Sequence, residues 1–133
     1  MKEIEHSNLR ETLSAISGRE PHPSFGEPFM HAFAALHTTG NSEEITVAAY
    51  ICSLFLSAIF EGFPTAKLHI FVNHTRVNCS RFTFDCKMYD TILEKMDDGS
   101  LKHVALLDIE GETIFRECCR EDIKEAFDFY TNR

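Results

Sequence analysis

The chain has no tryptophan, and its six glycines are scattered one at a time through 133 residues. No glycine-rich loop is therefore available to cradle a phosphate, and no Gly-x-Ser-x-Gly elbow presents a nucleophilic serine. Basic residues are scarce, 13 Lys and Arg against 21 Asp and Glu, for a formal net charge of -8. That balance argues against direct nucleic-acid binding, which relies on neutralising phosphates. Five cysteines are an odd number, and none stands in a Cys-x-x-Cys pair. A disulfide framework is not expected, and free thiols in a reducing cytoplasm are the simpler account. The start, Met1 to His6, carries no apolar stretch of a secretory signal, so the expected location is cytoplasmic.

What the chain does have is apolar mass: 44% hydrophobic residues, twelve of them Phe. The segment from Ile45 to Phe60 passes without a charge. A membrane span needs about 20 predominantly apolar residues, and this run is shorter and interrupted by Thr46, Ser53 and Ser57. Glu43 and Glu44 precede it, Glu61-Gly62 closes it, and no basic cluster follows. It reads as the central helix of a soluble core, with no membrane partner.

Around it, Leu9, Leu13 and Ile16 recur at helical spacing behind an N-cap at Asn8, and Gly18 ends that helix. Pro28 opens a second helix, whose stripe is Phe29, Phe33, Leu36 and His37, and Thr38 to Asn41 breaks it. Ser42 starts the third, and Gly62 and Pro64 stop it. After Pro64 the apolar period changes to two. Leu68, Ile70 and Val72 alternate as in a strand, a second strand runs from Val77 to Cys86, and Asn73 to Arg76 forms the turn. A helix around Tyr89, Ile92, Leu93 and Met96 follows, stopped at Gly99. His103 to Ile109 reads as an interior strand, and Glu110-Gly111 turns into a partner over Glu112 to Glu117. Ile123, Ala126, Phe127 and Tyr130 mark a last amphipathic helix. The expected fold is one globular α+β domain over residues 1–133, in the order ααα-ββ-α-ββ-α. Its N-terminal helices would pack on a mainly antiparallel four-stranded sheet.

Signals for chemistry are thin. His31 and His37 lie about 240° apart round a helix and cannot share a metal on one face. Cys79 and Cys86 are too far apart for a zinc knuckle, and Cys118-Cys119 is an adjacent pair. No metal site, no cofactor and no catalytic residue is expected.

Charge is the more informative pattern. Asp108 to Asp128 holds eight acids against three bases. Glu121 and Asp122 suit a helix N-terminus, whereas Glu110 and Glu112 at a hairpin tip have no evident local use. Asp108, Glu110, Glu112, Glu121, Asp122 and Glu125 are thus the candidate partner-binding residues. The reading is a non-catalytic module that docks a basic protein. Its sharpest form is an immunity-type inhibitor whose carboxylates fill the cationic groove of a toxin or nuclease. One alternative is an acidic secretion chaperone or adaptor, which would need Phe25, Phe29, Phe63 or Phe129 exposed. Another is a small Cys/His enzyme or ligand-binding domain built on His22, His37 and Cys79.

Overall fold

A computed structural model describes residues 4–36, 42–96 and 101–132. The order is α1 (Ile4–Ser17), α2 (Glu27–Leu36), α3 (Ser42–Phe60), α4 (Thr65–Asn78), α5 (Tyr89–Lys95), β1 (Leu101–Leu107), β2 (Thr113–Cys119) and α6 (Arg120–Thr131). The α+β class holds broadly, but the four-stranded sheet does not. Among the described residues there is one two-stranded antiparallel sheet, β1 paired with β2.

The error lies in residues 68–86. Leu68, Ile70 and Val72 do alternate, yet the buried positions are Leu68, Phe71, Val72 and Thr75, while Ile70 is 54% exposed. That is the i, i+3, i+4, i+7 stripe of a helix. Pro64, expected only to stop α3, is also the N-cap residue of α4. Beyond α4, Phe82 and Phe84 do point inward together, but residues 80–85 pair with no strand. They are held by side chains instead. The Tyr130 hydroxyl donates to the Phe82 carbonyl, and the Arg81 guanidinium donates to the Tyr130 carbonyl. Asn8 proves internal to α1, which starts at Ile4. His37, the break over 38–41 and the Gly99 stop lie outside the described residues.

Helix α3 is the axis of the fold, packed against α1, α2, α4, α6 and β1. By length and composition it could cross a bilayer, but 67% of its apolar window is buried inside the fold. At one end an aromatic cluster fills the core. Phe33 meets Phe82 and Phe84 at ring-centroid distances of 5.2 and 5.3 Å, and Phe84 stacks on Tyr130 at 5.7 Å. At the other end α3 holds the hairpin. Buried Ser57 donates from Oγ to the Ser53 carbonyl at 2.7 Å and accepts the Leu107 N–H at 2.8 Å. Arg116 lies over the Phe60 ring at 4.6 Å and pairs with Glu61 at 2.9 Å.

Candidate functional site

The six acidic candidates fall into two groups at opposite ends of β2, whose seven residues span about 20 Å at roughly 3.3 Å each. Asp108 is structural: its Oδ1 accepts the N–H groups of Glu110 and Glu112, each at 2.9 Å. Asp122 is structural too, accepting the Cys119 N–H at 3.3 Å and its thiol at 3.2 Å, which closes the start of α6. Glu110, Glu112, Glu121 and Glu125 are exposed. The tip is amphipathic, because Ile109 between the carboxylates is 65% exposed.

The Cys/His candidates do not converge. His22 pins the connection between α1 and α2 to the hairpin. Its backbone N–H donates to Thr113 Oγ1 at 3.1 Å, its Nδ1 accepts the Ser24 N–H at 3.0 Å, and its ring meets Phe115 edge-on at 5.1 Å. Cys79 is half-buried at the C-cap of α4, and His37 is among the undescribed residues. Burial raises the Cys52 thiol far above its ordinary range and pushes Cys118 up to about 11. Both are therefore inert as nucleophiles at neutral pH. Among the described residues no three His, Cys, Asp or Glu side chains group as a metal site. The adaptor reading loses its expected patch, since Phe25, Phe29 and Phe63 are buried and Phe129 half-buried.

A different constellation emerges where α2 packs on α5. Glu27 and His31, four apart in α2, share one helix face, with Cβ atoms about 6 Å apart. With Lys95 of α5, Pro28 and Met96 they line an open cleft of about 520 Å³. A carboxylate, an imidazole and an ammonium thus face one solvent-accessible hollow. Such a set can offer hydrogen bonds and one ammonium to a small polar ligand. The i, i+4 spacing of Glu27 and His31 was readable in the sequence. Lys95, 64 positions beyond His31, was not, because only helix packing brings it there.

No family model matches the chain, and no solved structure matches it. A curated 3-dehydroquinate synthase from Parabacteroides distasonis is 33% identical over 117 residues, covering 80% of this chain and 33% of that protein. The chain therefore spans about a third of the length of the curated relative it matches.

Proposed function

We propose that this chain is a synthase-like ligand-binding unit whose α2–α5 cleft takes a small hydroxy-acid of the 3-dehydroquinate kind. The observation that carries this reading is the 33% identity sustained over 117 residues to a 3-dehydroquinate synthase. The cleft supports it chemically. Lys95 offers an ammonium to a ligand carboxylate, while Glu27 and His31 offer acceptors and donors to hydroxyl and carbonyl groups. Since the match covers one third of the relative, turnover would require further polypeptide, in the same chain or another, to complete the site. Titrating 3-dehydroquinate into the protein while following the His31 ring by NMR tests this. Saturable shifts are expected, weakened about tenfold by Lys95→Gln, as for loss of one charge-assisted hydrogen bond. No saturation, or indifference to Lys95→Gln, would overturn it.

A second reading, docking of a basic protein in the manner of an immunity-type inhibitor, is favoured by the hairpin tip. Glu110 and Glu112 serve no side-chain contact among the described residues, and exposed Ile109 directly precedes them. A pull-down eluted with salt should yield a stoichiometric basic protein. Glu110→Lys with Glu112→Lys should abolish its capture, and undiminished capture would discard the tip as the docking face.

A further inference from the structure

A second hollow lies on another side of α3, bounded by α3, the C-terminal half of α4, the irregular segment after it, and α6. Its volume is about 190 Å³. The floor is apolar and buried: Val47 and Ile51 of α3, Val72 of α4 and the ring of Tyr130 of α6 are each at most 4% exposed. The rim is exposed and carries two guanidinium groups, Arg76 and Arg81. This pairing of an enclosed apolar base with cations at the mouth is not required by the fold. Arg81 has structural duties, sitting 4.9 Å over the Tyr130 ring and donating to that residue's carbonyl. Arg76 is exposed in the last turn of α4, where its charge also suits the helix's carbonyl end.

We propose that this hollow is a binding site for a small monocarboxylate with an aromatic or compact aliphatic body, the body seated on Val72 and Tyr130 and the carboxylate held at the rim by Arg76 and Arg81. Size sets the class. An apolar cavity of about 150 Å³ accepts benzene, so 190 Å³ accommodates one six-membered ring with its carboxylate at the mouth. Charge sets the head group. Two guanidinium groups stand at the rim, and a planar carboxylate matches the guanidinium fork. The site is separate from the α2–α5 cleft, with which it shares no lining residue.

The test uses the full chain with benzoate as probe and benzamide, its uncharged analogue of the same shape, as control. NMR titration should show saturable benzoate binding in the millimolar range, with shifts confined to the Val47, Ile51 and Val72 methyls and the Tyr130 ring. Benzamide should bind about tenfold more weakly, and Arg76→Gln should weaken benzoate about tenfold while leaving benzamide unchanged. Arg76 is exposed, so that variant folds. Val72→Phe, which fills the floor, should abolish both. Equal affinity for benzoate and benzamide, unchanged benzoate affinity in Arg76→Gln, or shifts located elsewhere would each overturn the proposal, as would the absence of saturation.

Discussion

Gly111, in the turn between β1 and β2, lies directly against the carbonyl of Ser17 at the end of α1: a Cβ at Gly111 would stand 2.7 Å from that oxygen. The obstacle is backbone at a helix end, so it cannot rotate aside. The position also has φ +84°, a conformation that residues with a Cβ adopt at a cost. The contact locks the hairpin against the helical layer over 94 residues of sequence.

Gly111→Ala is therefore expected to lower stability by about 2–3 kcal/mol, combining strained φ with a displaced helix end. Gly18→Ala is the matched control, because φ there is +94° but nothing lies within 4 Å of the added atom. It should cost only about 1 kcal/mol. Urea denaturation of the two variants measures the difference, and equal losses would show that the Ser17 contact is relieved without strain.

Two serines one turn apart in α3 make a sharper comparison. Ser57 Oγ is the acceptor for the buried Leu107 N–H at 2.8 Å, whereas Ser53 Oγ is buried with no hydrogen-bond partner among the described residues. Ser57→Ala leaves an amide without an acceptor in the core and should cost about 1–3 kcal/mol. Ser53→Ala removes a polar atom that gains nothing from burial, so stability should hold or rise by up to about 1 kcal/mol. Thermal unfolding of both variants decides. A loss above about 1 kcal/mol in Ser53→Ala would mean that its hydroxyl is satisfied in solution.

These contacts also show what could be read from the sequence. The limits of α3 followed from its charge-free run and from Ser42 and Gly62, and the β1–β2 turn from Glu110-Gly111. Residues 65–78 misled because Leu68, Ile70 and Val72 fit a period of two as well as Leu68, Phe71 and Val72 fit a helix. Only the neighbours decide which atoms are covered, and α1 and α3 cover Phe71, not Ile70. Phe82 and Phe84 were correctly paired on one side. No periodicity could say that a tyrosine hydroxyl 48 residues on, rather than a strand, receives that backbone. The same limit applies to the cleft, since only the packing of α2 on α5 brings Lys95 and His31 to one hollow.

The five thiols should separate by burial. Cys86 is exposed and Cys79 and Cys119 half-covered, while Cys52 and Cys118 are buried with raised pKa values. With a disulfide reagent at about pH 8, Cys86 should react first. Cys52 and Cys118 should stay silent until denaturant is added. Mass mapping of the labelled native protein reads this directly. Modification of Cys52 before unfolding would mean that α3 and α6 separate readily, because its thiol is directed at the Ala126 carbonyl between them.

Alkali should expose the tyrosines as a stability device. All three are raised: Tyr50 and Tyr130 first by burial, and Tyr89 first by burial and further by its hydrogen bond to Asp128 at 2.7 Å, to about 12. In the unfolded chain each ionises near 10. Below that pH both states keep the proton and the stabilisation is intact. Between about 10 and 12 the unfolded chain loses protons that the folded chain retains, so stability falls as pH rises. Tyrosinate absorbance should therefore appear late and together with unfolding, with no tyrosine titrating independently near 10. Tyr89→Phe removes one of these protons and should flatten the decline between pH 10 and 12. A tyrosine that ionises near 10 while the helical signal is unchanged would show that its ring is not held in the core.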